Sequence, residues 1–155
     1  MIFFSLAWLL QDFIQVFTMG IFLLPNIFLI LLIFIALLPS TKQERLPALI
    51  WIAFAGGLLW DLRWTNLPGL TAAANSALLA ASCILWRKSP AQARSVFLFT
   101  VLTTSALLLS GLVHFIFWTM PSHAAIRQFL VQQITGIPVI ALISLIFWRV
   151  SDRHA

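Results

Sequence analysis

The segment GGLLWDLRWTNLPG, which runs from Gly56 to Gly69, places charged and turn-forming residues between two long apolar runs. Asp61 and Arg63 end the first run, and Pro68 with Gly69 opens the second. An aspartate at the carboxyl end of a helix faces the negative end of the helix dipole. We therefore expect Asp61 to be compensated either by Arg63 or by the amino end of the next helix. The segment predicts a hairpin of two membrane helices.

The composition is that of an integral membrane protein. Hydrophobic residues make up 62% of the 155 residues and charged residues 8%, and the mean hydropathy is +1.05. Such a chain has too few polar side chains to cover a water-soluble globule. Its length holds about six helices of roughly 20 residues with short links. Because the apolar runs are continuous instead of alternating, they predict helices and exclude a β-barrel. We expect a single all-α polytopic membrane domain over residues 1–155.

Proline, polar and charged residues mark the breaks of a six-helix transmembrane bundle. The predicted spans are residues 3–18, 22–38, 46–62, 69–86, 95–120 and 126–148. Between the first two spans, only Gly20, Pro25 and Asn26 are turn-formers. A five-span alternative with one long bent first helix therefore stays open.

The basic residues predict the orientation of the chain. In the six-span arrangement, seven of the nine Lys and Arg residues share one side: Lys42, Arg45, Arg87, Lys88, Arg94, Arg149 and Arg153. Cytoplasmic loops are the ones that retain Lys and Arg, so we expect both termini to be cytoplasmic and the Asp61 hairpin to face outward. The positive charges are split among separate links, which favours contact with lipid headgroups and argues against a nucleic-acid partner.

Polar residues inside the predicted spans are candidate functional residues, because a charge in lipid costs about 3 kcal/mol or more. Asp12 and Gln15 share one face of span 1, and His114 lies on span 5. One interpretation is that this face of span 1 turns into the bundle and hydrogen-bonds a neighbour, such as His114 or a glutamine of span 6; the other is a site for a partner or substrate. No His, Cys or carboxylate cluster has metal-ligand spacing, so we expect neither a metal nor another cofactor.

Small residues predict which helices pack closely, since helices in lipid associate through close backbone approach. Ala73, Ala77 and Ala81 form a ridge at i, i+4 spacing on span 4, and span 3 offers Ala53 and Gly57. A second ridge of span 4 lies beside the first, at Ala72, Ser76 and Ala80. We expect spans 3 and 4 to form an antiparallel pair and span 4 to be central in the bundle.

The hairpin resembles the MreD family of rod shape-determining membrane proteins. In that family a glycine, a few leucines and an aspartate close one span, and a Pro-Leu-Gly or Pro-Gly-Leu step opens the next. The matching residues here are Gly57, Leu58, Leu59, Asp61, Leu62, Pro68, Gly69 and Leu70. Pro25, Asn26 and Ile27, before the run from Phe28 to Leu38, are similar to the start of the family's second span. The resemblance covers span 1 to the start of span 4, and the second half of the chain matches only in hydropathy.

The resemblance implies a noncatalytic scaffold of the bacterial cytoplasmic (inner) membrane. Such a protein partners an MreC-like membrane protein and helps couple MreB filaments to the peptidoglycan synthases of the elongation complex, which maintain cell shape. The hairpin residues would form either a structural lock or a surface for an extracytoplasmic partner: Gly57, Asp61, Arg63, Trp64, Pro68 and Gly69.

A small-molecule-binding transporter subunit is the alternative. MreD-like proteins are distantly similar to the six-helix substrate-binding subunits of energy-coupling-factor transporters. Those subunits typically carry an Ala-x-x-x-Ala pattern on span 1, whereas Ala7 has no alanine at that spacing. The scaffold is therefore preferred. An enzyme ranks third, because no Ser/His/Asp, Cys/His or paired-carboxylate set can be assembled from the sequence.

Overall fold

The computed structural model describes residues 2–18, 24–39, 41–64, 67–117 and 122–152. These residues form six α-helices and two short 3-10 turns. The helices are α1 (Ile2–Thr18), α2 (Ile27–Leu37), α3 (Leu46–Trp64), α4 (Leu70–Lys88), α5 (Val96–Phe117) and α6 (Ser122–Asp152). The turns, at Gln43–Arg45 and Ala91–Ala93, precede α3 and α5. The predicted all-α class is confirmed.

Four of the helices are long and apolar enough to cross a bilayer. They are the segments Gln43–Trp64, Leu70–Lys88, Val96–Phe117 and Ile126–Asp152. The chain is therefore a membrane-embedded helical bundle. The five-span alternative is not what the structure shows, because α1 and α2 are separate helices and residues 24–26 between them are not helical.

Helix α2 is shorter than the predicted span of residues 22–38. Its eleven residues reach about 16 Å, roughly half of the hydrocarbon thickness of a bilayer. Asn26 fixes the start of the helix, because its side chain accepts a hydrogen bond from the Leu29 amide at 3.1 Å. At the other end, Leu38 is extended. The part of the prediction that covers residues 22 and 23 lies outside the described residues.

The centre of the bundle is α2, which corrects the expectation that span 4 is central. Helix α2 packs against all five other helices, whereas α4 packs mainly against α2, α3 and α5. Leu29, Leu32 and Ile33 of α2 are completely buried. Ile27–Leu37 is too short to cross a bilayer and contains no polar side chain, so α2 can be enclosed on every side without burying an unsatisfied polar group.

An aromatic cluster joins α2, α5 and α6. The rings of Phe99 and Phe147 stack with their centroids 4.2 Å apart. Phe34 of α2 meets both rings edge-on, at 6.3 and 6.2 Å, and Trp86 of α4 meets Phe147 edge-on at 5.8 Å. The edge-on contacts have a preferred geometry for aromatic pairs. The cluster holds the second half of the chain around α2.

Candidate functional site

The Asp61 carboxylate joins the end of α3 to the start of α4. Asp61 is completely buried, and its Oδ2 accepts hydrogen bonds from the amides of Gly69 (2.9 Å), Thr71 (2.9 Å) and Ala72 (3.2 Å). These amides belong to the first turn of α4, where no helical carbonyl is available to them. The positive end of the α4 dipole also favours the carboxylate. Of the two compensating groups considered for Asp61, the amino end of the next helix is the one observed.

Gly69 gives the hairpin its turn. Its φ of 94° is left-handed, a conformation that L side chains rarely adopt. Pro68, before it, is exposed in the same turn. The turn brings the Gly69 amide within hydrogen-bond distance of Asp61. The proline-glycine step of the sequence therefore positions the start of α4 against the carboxylate.

Close backbone contact aligns α3 with α4. A Cβ built on Gly57 would lie 2.5 Å from the Cα of Ala72 and 2.7 Å from its amide nitrogen. Ala53 and Asp61 lie one turn before and one turn after Gly57, and all three are buried. This face of α3 therefore brings the helices together and delivers the carboxylate to the first turn of α4.

Arg63 pairs with a different carboxylate from the one considered in the sequence. Its Nη1 lies 2.9 Å from Oδ2 of Asp12 on α1, with 52% of the Arg63 side chain exposed and 6% of the Asp12 side chain. The Trp64 indole N–H donates to the other Asp12 oxygen at 2.8 Å. The guanidinium also lies over the Trp64 ring, 5.6 Å from its centroid. The hairpin is thus tied to α1 through Asp12.

The polar face of α1 turns into the bundle, but its partners are not those expected. The amide side chain of Gln11 accepts from the Phe28 amide at 2.6 Å, and that of Gln15 accepts from the Leu24 amide at 3.1 Å. Both glutamines therefore satisfy backbone amides around the start of α2. The face of α1 with Asp12 and Gln15 thus turns into the bundle and bonds its neighbours, as the first interpretation expected, but these neighbours are α3 and the start of α2 and not His114 or a glutamine of span 6. These contacts were not predictable from the sequence, because the partners of Gln11, Asp12 and Gln15 are distant in the chain and show no pattern that pairs them with α1.

His114 was a predicted candidate, but the polar cluster to which it belongs was not predicted. Its Nε2 lies 3.5 Å from Oγ1 of Thr71, whose own amide binds Asp61. One turn deeper, Asn26 donates to Oδ1 of Asn75 at 2.8 Å and approaches Oγ of Ser110 at 3.5 Å. The i, i+4 spacing of Thr71 with Asn75 and of Ser110 with His114 was the available signal, since both pairs interrupt apolar helices.

The predicted alanine ridge of α4 does not pack inside the chain. Ala73, Ala77 and Ala81 are exposed, whereas Ala72 is completely buried. The face of α4 that packs inward contains Ala72, Asn75, Leu79 and Cys83. The inward face is set by the Gly57 contact with Ala72, and this contact rotates the first ridge outward.

No family model, curated protein or solved structure matches the chain. Within the described ranges, no group of three His, Cys, Asp or Glu residues is placed to hold a metal ion. The chemical character of the site therefore rests on the contacts given above. They show both Asp12 and Asp61 as hydrogen-bond acceptors that hold helices together.

Proposed function

We propose that the chain is a noncatalytic membrane scaffold of the bacterial elongation complex, with an MreC-like protein as its partner. The observation that carries the proposal is the set of hydrogen bonds from the α4 amino end to Asp61. It gives a structural role to the aspartate on which the resemblance to the MreD family rests. In this role the hairpin couples MreB filaments to peptidoglycan synthesis through its partner.

The hairpin offers a preformed surface for such a partner. Leu62 is 70% exposed and Leu67 44% exposed, and the half-exposed Arg63 lies between them in the sequence. The bonds of Asp61 and Asp12 fix the backbone beneath these side chains, so little ordering entropy is lost on docking. The structural lock and the partner surface are therefore two aspects of one arrangement.

The test separates the surface from the lock. Leu62→Ser changes an exposed side chain and should reduce co-purification with an MreC-like partner several-fold without changing the melting temperature. Leu85→Ser alters an equally apolar, 53% exposed residue near the opposite end of the hairpin and should leave co-purification unchanged. Cells without the gene should lose rod shape. Normal rod shape in the deletion strain, or equal co-purification of both variants, would overturn the proposal.

A transporter subunit is the second candidate, and one unsatisfied buried side chain favours it. Nε2 of Gln133 is buried and has no hydrogen-bond partner among the described residues, and it lies beside Gly111 of α5. An unsatisfied buried donor is what a polar solute between helices would use. If the deletion strain keeps its shape and loses uptake of a small solute, and Gln133→Leu abolishes that uptake, this function replaces the scaffold.

A further inference from the structure

A groove opens between the start of α3 and the end of α4, at the end of the hairpin opposite Asp61. Its volume is about 260 Å³. Leu46, Ile50, Ala80 and Ile84 contribute apolar walls, and Gln43 and Arg87 lie where the two helices meet their links. The groove follows two helices that are long and apolar enough to span a bilayer. Its apolar walls therefore lie on the part of the hairpin that is embedded in lipid.

The links next to this groove carry a concentration of positive charge. Residues 42–45 and 87–94 contain five basic residues and one carboxylate, Glu44. The basic residues are Lys42, Arg45, Arg87, Lys88 and Arg94, and all of them are exposed. In the described part of the chain, Arg87 forms no ion pair. Its charge is therefore available to a ligand in the groove.

The helix ends at this groove are also compatible with an anion. The carbonyls at the carboxyl end of α4 would by themselves repel a negative group. Arg94 covers them, donating to the carbonyls of Arg87 at 2.8 Å and Ser89 at 3.1 Å. The adjoining end of α3 is its amino end, which is the positive end of that helix dipole.

We propose that this groove binds one anionic phospholipid. An acyl chain lies along the apolar walls, and the phosphate meets the guanidinium of Arg87. A phospholipid in a leaflet has this same order, with its chains in the hydrocarbon and its phosphate at the level of the juxtamembrane cations. A zwitterionic lipid brings a cation to the basic cluster, so a lipid with net negative charge is preferred.

The first test measures the binding of phosphatidylglycerol to the detergent-solubilised chain by native mass spectrometry. Arg87→Gln should weaken the first binding event about fivefold, which corresponds to removing one cation near an anionic membrane surface. Arg149→Gln is the matched control, because it removes the same charge from an exposed position in the last turn of α6. Equal weakening by both variants would show general charge attraction and overturn the site.

The second test fills the groove instead of changing its charge. Ala80→Leu places three further heavy atoms on the groove wall and should also weaken binding several-fold. Ala77→Leu adds the same atoms to an exposed position of α4 and should bind as the unmodified chain does. The melting temperature in detergent, without added lipid, identifies any variant that is misfolded.

Two further ligands decide whether the occupant is a lipid. Phosphatidylcholine with the same chains should bind several-fold more weakly than phosphatidylglycerol. Glycerol 3-phosphate, which carries the anionic group without acyl chains, should not displace phosphatidylglycerol. Equal binding of the two phospholipids, displacement by glycerol 3-phosphate, or unchanged binding to Arg87→Gln would each contradict the proposal.

Discussion

Asp61 serves two helices at once, because it lies in the last turns of α3 and accepts the first free amides of α4. A carboxylate in lipid is costly unless such donors surround it. The sequence was sufficient to select this residue, since an acid at a helix end requires compensation. It was not sufficient to choose between the two compensating groups, because Arg63 is near in sequence while its actual partner Asp12 is on α1.

Replacing Asp61 by alanine should lower the free energy of unfolding by about 2 kcal/mol, because buried amides of α4 lose their acceptor. Asp61→Asn should cost about half as much, since its carbonyl oxygen still accepts while the charge is lost. Thermal unfolding in detergent measures both changes. Asp152→Ala removes an exposed carboxylate at the end of α6 and is the control. If Asp61→Ala has the same melting temperature as this control, the carboxylate does not cap α4.

The pair of Arg63 and Asp12 should respond asymmetrically to substitution. Arg63→Gln leaves the buried Asp12 carboxylate without its cation, whereas Asp12→Asn leaves a half-exposed guanidinium that water can solvate. We expect Arg63→Gln to be the more destabilising change, by about 1 kcal/mol. The double variant should be more stable than Arg63→Gln alone, which a double-mutant cycle in detergent measures. If Asp12→Asn is the worse of the two, the carboxylate is hydrated and not buried.

At the scale of helices, hydropathy and the charged breaks located the ends of α3 and α4 within two residues of the predicted positions. This accuracy has a physical basis, since burial in lipid requires long apolar runs and the breaks carry the charges. The rotation of α4 was not predictable from its composition, because two neighbouring ridges of small residues compete. Contact between Gly57 and Ala72 decides between them.

The rotation of α4 gives a prediction for its two faces. Ala72→Leu should destabilise the chain by about 1–3 kcal/mol, because overpacking at a backbone contact cannot be relieved by a rotamer change. Ala77→Leu, on the exposed ridge, should accumulate normally and have the same melting temperature as the unmodified chain. Expression level and melting temperature in detergent compare the two. Equal damage from both substitutions would mean that the exposed ridge is covered, for example by a second copy.

At the scale of the whole molecule, two features follow from the sequence to different degrees. The membrane class followed from composition alone. The central position of α2 follows only in part, because the sequence shows an apolar run without a polar face but not that the helix has only eleven residues, too few to span a bilayer. The choice of neighbours around α2 depends on contacts between distant helices, which hydropathy does not specify.

The orientation of the bundle is tested by cysteine labelling in a Cys83→Ser background. Both termini are predicted to be cytoplasmic, so the hairpin turn should face outward. Leu67→Cys, at an exposed position of that turn, should react with an impermeant thiol reagent in intact cells. Gln92→Cys, exposed in the link between α4 and α5, should react only after the cells are opened. The opposite labelling pattern would show that the hairpin turn faces the cytoplasm and that the predicted topology is inverted.

The short α2 has a consequence for biogenesis. Its capping groups, Gln11 and Asn26, precede it in the chain and leave the ribosome first. The helices that enclose its apolar sides, α3 to α6, are synthesised later. A helix of about 16 Å cannot reach both bilayer surfaces by itself. We therefore expect the final depth of α2 to be set only when its later neighbours are synthesised, so that the bundle closes around α2 after the other helices have inserted.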